Sequence, residues 1–299
     1  MPARLIFLGT TKQLKNSAGI VLQTNKTQLH IDPGAGAIAR ASQMGIDTKR
    51  TTALLVSHAH IAHCSDVNAA VAEMSYSGID RKGILISNST LIKGVGEEIP
   101  YLTMYHKNSL EKVIILNQDD KIAVEDVEIH PLKAIHQDPN AMGFRIMTSE
   151  FVLSYSGDTR YSSELISQYR DSDILLLNVA EPFGETSSSN LTSEDAVKLI
   201  LQVMPKLTII THFGEKMLKA NPMNEAREIQ RLTGIQTIAA RDRLIITPTS
   251  YSELPQKKLN VFTLPKMMPM DEIKKEEIVP EEPNEIKELR GILQQQINQ

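Results

Sequence analysis

Short apolar runs separated by turn residues dominate the first half of the chain. Runs of this length, rich in Ile, Leu and Val and ending at Gly, Pro, Asn or Asp, are typical of β-strands. The pair Asn25-Lys26 between two of them fits a hairpin turn. The pattern predicts strands over residues 5–8, 19–23, 28–31, 53–56, 83–87, 112–116, 121–124 and 127–131.

The second half alternates between helix and strand. Apolar residues at helical spacing predict helices over 162–169, 193–203 and 223–232, in addition to earlier ones over 37–44 and 66–74. Further strands are predicted over 143–147, 151–155, 174–179, 207–211, 236–239 and 244–246. Two β-sheets packed face to face, with helices on their outer sides, satisfy this order, so the predicted fold class is α/β.

Composition narrows the class of protein. A chain of 299 residues that is 41% hydrophobic can bury a large core. Its net charge of −4, from 32 basic and 36 acidic residues, argues against a globally basic nucleic-acid binder. The absence of Trp and an aromatic content of 4% weaken the case for a platform that stacks bases.

The N-terminal apolar run, residues 5–8, is too short for a signal peptide. No stretch approaches the roughly 18 to 20 apolar residues of a membrane helix. A single cysteine, Cys64, allows no internal disulfide, which agrees with a reducing compartment. We therefore expect a cytoplasmic protein without a membrane segment.

Composition changes again near residue 251. Residues 1–250 are predicted to form one domain, and residues 251–299, rich in Pro, Lys, Glu and Met, a charged and partly disordered extension. Near its end an apolar stripe at helical spacing could instead form a short helix that docks on the domain or on a second subunit of a homo-oligomer. The stripe consists of Ile286, Leu289, Leu293 and Ile297.

The strongest chemical signal is a group of histidines. His58, His60 and His63 lie within six residues directly after the predicted strand 53–56. A single histidine is usually a packed or surface residue, but a packed strand gives no reason for three together. Other polar residues at predicted strand ends are Asp32, His136, Asp158, Asn190 and His212. Imidazole and carboxylate ligands suit Zn²⁺, and also Mn²⁺ or Fe²⁺, so the sequence predicts a metal protein.

These motifs resemble those of the metallo-β-lactamase-fold hydrolases, and most closely the phosphodiesterase branch that includes RNase Z. Besides His-x-His-x-x-His at residues 58–63, the resemblance is carried by Leu-Gly-Thr at 8–10, Asp-Pro-Gly at 32–34, Ser-Gly-Asp-Thr at 156–159 and Thr-His-Phe-Gly at 211–214. It covers about residues 4–248. It implies a four-layer αββα sandwich with a site along one edge of the two sheets.

The resemblance also implies roles for the site residues. His58, His60 and His136 would hold one metal ion, and His63 and His212 would belong to a second. Asp158 would bridge the two ions and take part in catalysis. Asp32 would orient the histidine loop, and outer groups of this kind tune metal ligands.

Two positions depart from the family pattern. Ala62 stands where the motif has an aspartate that helps to hold the second metal and to steer the attacking water. The second site should therefore be weaker than the first. Asn190 stands where related phosphodiesterases often have a histidine that acts on the leaving group. Asparagine can donate a hydrogen bond to a phosphate oxygen but cannot act as a general acid, so Asn190 is a catalytic candidate in that limited role.

Neighbouring polar residues offer little replacement. Asp66 is expected to open or cap the helix that follows it, and Cys64 to pack as a small buried residue. Lys216, Lys219 and Arg227 could line the cleft as phosphate contacts, although a solvated helix face is the ordinary explanation for them.

Bacterial-type RNase Z enzymes carry a long arm that grips tRNA, inserted between the positions of His136 and Asp158. Here the two positions are only 22 residues apart, and a loop and the hairpin already occupy the segment between them. We therefore expect that transfer RNA is not the substrate.

The leading hypothesis is a metal-dependent hydrolase, phosphodiesterase-like or nuclease-like, that uses metal-activated water. The alternative is a catalytically degenerate family member that binds a nucleotide, a nucleic acid or a protein. Hydrolysis of a carboxylic ester or lactone also stays open, because the fold alone does not choose among chemistries.

Overall fold

The computed structural model describes residues 2–17, 19–95 and 100–251. The predicted extension over 251–299, with its stripe of Ile286, Leu289, Leu293 and Ile297, lies outside the described residues apart from Tyr251. Among the helices of the described ranges, none is long and apolar enough to cross a lipid bilayer.

Two mixed β-sheets form the centre of the fold. The strands of the first are β1 (Arg4–Phe7), β2 (Ile20–Gln23), β3 (Gln28–Ile31), β4 (Ala53–Val56), β5 (Ile84–Ser87), β6 (Lys112–Ile115) and β15 (Ile245–Ile246). Those of the second are β7 (Ile122–Val124), β8 (Val127–Lys133), β9 (Met142–Met147), β10 (Val152–Tyr155), β11 (Ile174–Glu181), β12 (Leu191–Thr192), β13 (Leu207–Thr211) and β14 (Thr237–Ala239).

Strand order is β15-β1-β2-β3-β4-β5-β6 in the first sheet and β14-β13-β11-β10-β9-β8-β7 in the second, with β12 paired to β11. The run β3-β4-β5-β6 is parallel, and so is the run β10-β11-β13-β14. Parallel strands bring their carboxyl ends to one edge of a sheet, where α/β proteins place their sites.

Helices lie along the chain between these strands. They are α1 (Ala37–Gln43), α2 (Ile61–Cys64), α3 (Val67–Met74), α4 (Ser89–Lys93), α5 (Met104–Ser109), α6 (Ile166–Tyr169), α7 (Ser193–Val203), α8 (Glu215–Ala220) and α9 (Pro222–Thr233). Single 3₁₀ turns occur at Leu14–Asn16, Thr48–Arg50, Ser163–Leu165 and Pro248–Tyr251.

Local signals explain where the longer helices begin and end. A capping box starts α7, because the Thr192 hydroxyl accepts from the Asp195 N–H and the Asp195 carboxylate accepts from the Thr192 N–H. The Asn221 side chain caps α9, Pro222 fills its first turn, and Gly234 ends it in the left-handed conformation.

The main core lies between the two sheets. Phe7 and Leu29 of the first sheet belong to one buried cluster with Phe144, Leu153 and Ile209 of the second. A separate buried cluster joins the outer side of β4 and β5 to α3, and a smaller one joins β1 and β2 to α1. The expected sandwich of two sheets flanked by helices is confirmed.

Differences from the predicted elements concern short segments. The predicted helix 162–169 is a 3₁₀ turn followed by the single turn of α6. The helices α2, α4, α5 and α8 were not predicted, because elements of four to six residues are too short to display an apolar stripe.

Gly34 fixes the approach of the histidine loop to the first sheet. A Cβ at this position would lie 2.0 Å from the carbonyl oxygens of both Ser17 and Ala62. Both obstacles are backbone atoms, so neither can rotate away. A residue with a side chain at position 34 would displace the segment that carries Ala62.

We predict that Gly34→Ala lowers the free energy of unfolding by about 3 kcal/mol or more, at the upper end of overpacking effects. Gly45→Ala is the control, because Gly45 has a φ of +70° but open space around its Cβ position. It should cost only the conformational strain, about 1–2 kcal/mol. Urea denaturation measures both, and equal losses would contradict the steric argument.

Candidate metal centre

Three predicted histidines meet where strands of the two sheets end. His58 and His60 follow β4, and His136 follows β8. The Nε2 atom of His58 lies 3.0 Å from Nδ1 of His60, which in turn lies 3.1 Å from Nε2 of His136. One ring nitrogen from each residue lies within 4.8 Å of the others, so the three can surround one ion.

The protonation of His58 and His60 suits the binding of a cation. Burial lowers the pKa of His58 well below its ordinary value, and burial together with the neighbouring His136 lowers the pKa of His60. Neutral imidazole is the form that binds metal ions. Three ring nitrogens that all face one another cannot all be paired by donation among themselves, so the arrangement fits a shared Zn²⁺, Mn²⁺ or Fe²⁺ ion.

Asp158 lies at the meeting point of the predicted ligands. Its Oδ2 atom is 3.2 Å from Nε2 of His212 and 3.4 Å from Nε2 of His63. The Nε2 atoms of His136 and His58 are 3.9 and 4.0 Å away. Although burial acts in the opposite direction, His212 and His63 hold the pKa of Asp158 well below its ordinary value. An ionised carboxylate oxygen is thus shared by both halves of the centre.

His58, His63 and Asp158 form a second group whose ligand atoms lie within 4.8 Å of one another. Ala62 lines a cavity of about 20 Å³ beside His63 and His212. A cavity of that size holds about one water molecule. The methyl group of Ala62 contributes no ligand there, so this side of the centre has fewer oxygen donors than the family motif provides.

Asp32 orients the histidine loop, as the resemblance implied. Its Oδ1 accepts from the Ser57 N–H at 2.7 Å, and its Oδ2 accepts from the Ser57 hydroxyl at 2.8 Å. The same Oδ2 lies 2.8 Å from Nδ1 of His63 and 2.6 Å from the Tyr155 hydroxyl. Acceptance by Asp32 assigns the proton of His63 to Nδ1 and leaves its Nε2 directed at Asp158.

Two more contacts fix ring tautomers in the three-histidine group. The Ser57 hydroxyl, which donates to Asp32, lies 3.0 Å from Nδ1 of His58 and accepts from it. Nδ1 of His136 lies 2.7 Å from the Ser189 carbonyl oxygen and donates to it. Both assignments leave Nε2 free to bind a metal ion, as outer partners of metal-binding histidines usually do.

His63 and His212 share the Asp158 carboxylate but differ in pKa. Burial alone would lower the pKa of His63, but Asp158 and Asp32 together raise it to about 10. Burial lowers the pKa of His212, with Asp158 opposing it. His63 lies against two carboxylates and His212 against only one. In the metal-free protein the additional proton that makes an imidazole ring cationic therefore belongs on His63.

Asn190 is buried, with 4% of its surface exposed. Its side-chain NH₂ donates to the Ser189 hydroxyl at 3.1 Å. Its Oδ1 has no hydrogen-bond partner among the described residues. The structure therefore places Asn190 next to the residue that holds His136, and its role on a leaving group stays a prediction.

Asp66 and Cys64 do not replace the missing ligand. Asp66 precedes α3, but its carboxylate accepts from the Ile38 N–H at the start of α1. Asp66 does open α3, as its N-cap residue, but its side chain makes no cap hydrogen bond there. The N-cap residue of α1 is Gly36, which has no side chain, and the Asp66 carboxylate serves α1 instead. Cys64 is fully buried and donates to the Ala59 carbonyl, and burial raises the pKa of its thiol to about 12.

The three basic residues proposed for the cleft lie on exposed surface. Lys216 pairs with Glu185, and Lys219 pairs with Glu215 one helical turn away. Arg227 borders a separate groove of about 600 Å³ along α9. None of the three lines the cavity beside His63 and His212.

Sequence reasoning missed several residues that hold the centre in place. Asn178 donates to the Asp158 Oδ1 at 2.7 Å and to the Tyr155 hydroxyl at 3.1 Å. Asp138 accepts from the N–H of Ala59, between two of the histidines. Asn178 lies within the apolar strand β11, and this polar residue in a buried strand was the available signal.

Comparison with known proteins identifies the family of the chain. Residues 27–213 match the β-lactamase superfamily domain. An uncharacterised protein of Methanocaldococcus jannaschii, MJ1374, is 33% identical over 250 residues, which cover 81% of this chain and 93% of that protein.

Two solved structures show the same fold at low identity. The metallo-β-lactamase fold protein YhfI from Bacillus subtilis has a TM-score of 0.71 and 17% identity, covering 82% of this chain and 99% of its own. The short form of human tRNase Z has a TM-score of 0.60 and 12% identity, covering 81% of this chain and 98% of its own.

The position of the His63 proton gives a prediction for the metal-free protein. The pKa of His63 is about 10 in the folded state and 6.5 as its ordinary value. Between these values the folded state binds more protons than the unfolded state, so the free energy of unfolding falls as the pH rises. That contribution is fully present below about pH 6.5 and is lost as the pH passes about 10.

Urea denaturation in the presence of a chelator, at several pH values from about 7 to 9.5, measures this slope. His63→Gln should remove most of it, and the difference between the two slopes corrects for Lys and Tyr residues that titrate nearby in pH. A wild-type slope no steeper than that of His63→Gln would show that His63 does not hold the proton.

Proposed function

The chain belongs to the β-lactamase superfamily of metal-dependent hydrolases, and on that premise we propose that it hydrolyses phosphodiesters with one firmly held metal ion. The observation that carries this proposal is the convergence of His58, His60 and His136 on one point, with Oδ2 of Asp158 about 4 Å from two of them. Ala62 supplies no ligand for a second ion of equal affinity.

A divalent ion in the three-histidine group would supply positive charge that lowers the pKa of a water ligand and polarises a phosphoryl oxygen. The residues of the chain supply the rest. Contacts of their Nδ1 atoms with Ser57 and Ser189 hold His58 and His136 so that the Nε2 lone pair of each ring is available to a metal ion. Orientation by such partners raises both the affinity and the precision of the site.

We assign Asp158 the task of orienting the attacking water, which is the nucleophile. Its ionised Oδ2 can accept a hydrogen bond from the attacking water and so fix the direction of attack. Asn178 holds the other oxygen at 2.7 Å, which keeps the carboxylate from rotating. A carboxylate fixed in this way would hold the attacking water in one direction, as in-line attack at phosphorus requires.

Asn190 is the residue we assign to the phosphate. Its amide can donate to a phosphate oxygen. The NH₂ group now donates to the Ser189 hydroxyl, and it would donate to the phosphate in place of that hydroxyl when substrate binds. Because an amide cannot donate a proton outright, substrates with good leaving groups should react fastest.

One structural neighbour is named as a transfer-RNA nuclease, which cleaves phosphodiesters. For this reason we favour a phosphodiester substrate over a carboxylic ester. Transfer RNA itself is disfavoured for this chain. The residues between His136 and Asp158 are taken up by β9 and β10, with a tight turn between them. A small phosphodiester or a short oligonucleotide needs no arm to be gripped.

Purified protein loaded with Zn²⁺ or Mn²⁺ should cleave bis-p-nitrophenyl phosphate or a short oligonucleotide. We predict that His136→Ala lowers kcat/KM by roughly 100-fold or more, because it removes one of three ring ligands. His130→Ala is the control, because His130 lies within β8, the strand that precedes His136, and pairs with Glu128 instead of the centre. No hydrolysis by a metal-loaded wild-type protein would sink the proposal.

Restoring the missing carboxylate tests whether catalysis is attenuated. We predict that Ala62→Asp raises kcat roughly 10- to 100-fold, because a second oxygen ligand and proton acceptor enters the site. The cavity of about 20 Å³ leaves room when a water molecule is displaced. Ala62→Asn, equal in size but uncharged, should gain far less.

The same variant separates the enzyme from its alternative. A catalytically degenerate protein that only binds a nucleotide, a nucleic acid or a protein would gain no hydrolysis from Ala62→Asp. It would instead bind such a ligand tightly with and without the substitution. The specific observation in favour of this alternative is Ala62 itself.

A further inference from the structure

The three histidines of the proposed centre come from two different sheets. His58 and His60 are on the loop after β4 of the first sheet, and His136 is on the loop after β8 of the second. The distance of 3.1 Å between the ring nitrogens of His60 and His136 therefore depends on how these two loops are held together. Core packing between sheets does not fix loop positions to a fraction of an ångström.

Asp138 lies two residues after His136 and reaches across this gap. Its Oδ2 accepts from the N–H of Ala59, the residue between His58 and His60, at 3.3 Å. The carboxylate is buried, with 8% of the residue exposed, and it is not a member of either possible ligand group among the described residues. It contacts the backbone of the histidine loop, not its rings.

Further donors, two of them from the segment that follows β5, hold the same carboxylate. Asn88, at the end of β5, donates to Oδ2 at 3.0 Å, and Thr90 in α4 donates to Oδ1 at 2.8 Å. The N–H of Asn140 donates to Oδ1 at 2.9 Å. Asn88 is fixed in turn, because its own Oδ1 caps α4 at the Leu91 N–H. Four donors thus hold one carboxylate, and three of them lie on segments that follow strands β4 and β5 of the first sheet.

We propose that Asp138 is a positioning residue that sets the metal affinity of the three-histidine group by tying the His136 loop to the His58–His60 loop. The inference rests on the metal centre of the proposed function but not on the substrate. Loss of the tie would let the two loops separate, and the ring nitrogens would no longer be preorganised around one ion. Charge-assisted hydrogen bonds of this kind are strong enough to hold such a geometry.

The test measures metal affinity rather than activity. Dissociation constants for Zn²⁺ are obtained by competition with a chromophoric chelator, and the visible absorption of bound Co²⁺ reports coordination geometry. Asp138→Ala should raise the Zn²⁺ dissociation constant roughly 10- to 100-fold, the usual effect of losing an outer partner, and should change the Co²⁺ spectrum. Asp138→Asn keeps one acceptor oxygen and should restore part of the affinity.

Asp126→Ala is the matched control. Asp126 also accepts two side-chain hydroxyls, from Thr24 and Thr27. Thr27 precedes the amino end of β3, whereas the metal centre follows the carboxyl ends of the strands. Asp126→Ala should therefore lower stability without changing the Zn²⁺ dissociation constant or the Co²⁺ spectrum.

Equal dissociation constants for Asp138→Ala and the wild type, with equal Co²⁺ spectra, would overturn the inference. So would a wild-type protein that binds no metal at the three histidines. A wild-type protein that binds metal but cleaves no phosphodiester would refute the proposed function alone. In that case the comparison of dissociation constants still decides the role of Asp138.

Discussion

The centre depends first on one buried carboxylate, that of Asp32. Burying a charge is costly unless it is fully hydrogen-bonded, and here donors from Ser57, His63 and Tyr155 satisfy it. Ser57 follows β4 of the first sheet, His63 lies in α2 shortly after it, and Tyr155 ends β10 of the second. The hydrogen bonds of this carboxylate therefore both compensate its buried charge and connect the two sheets next to the histidines.

Asp32 and Asp138 hold different parts of the segment that follows β4. Asp32 fixes the rings of His58, through Ser57, and of His63. Asp138 fixes the backbone at Ala59, between His58 and His60. Ring tautomers and loop position are separate requirements for a preorganised metal site, and separate residues meet them.

The layers of the fold, most of its strands and the gathering of the histidines could be predicted from the sequence, because each leaves a local pattern. Short apolar runs indicate strands, and His58, His60 and His63 stand out within six residues. The supporting network could not be predicted. Tyr155, Asn178 and Asp138 act on residues far away in the chain. The position of Asn178 within an apolar strand marks it as unusual, but no local pattern shows which residues any of the three contacts. The cap that Asp66 gives to α1 was missed for the same reason, since it is a contact across 28 residues.

The methyl group of Ala62 takes no part in this hydrogen-bond scaffold. Ala62 contacts the network through its backbone, where its carbonyl oxygen packs against Gly34, and its side chain only borders a small cavity. Asp32, in contrast, satisfies donors from both sheets. A substitution at Asp32 would leave the buried donors of Ser57, His63 and Tyr155 without an acceptor. A substitution of the Ala62 side chain removes no hydrogen bond of the centre. Position 62 is therefore one at which the side chain can change without disturbing the hydrogen bonds that hold the centre.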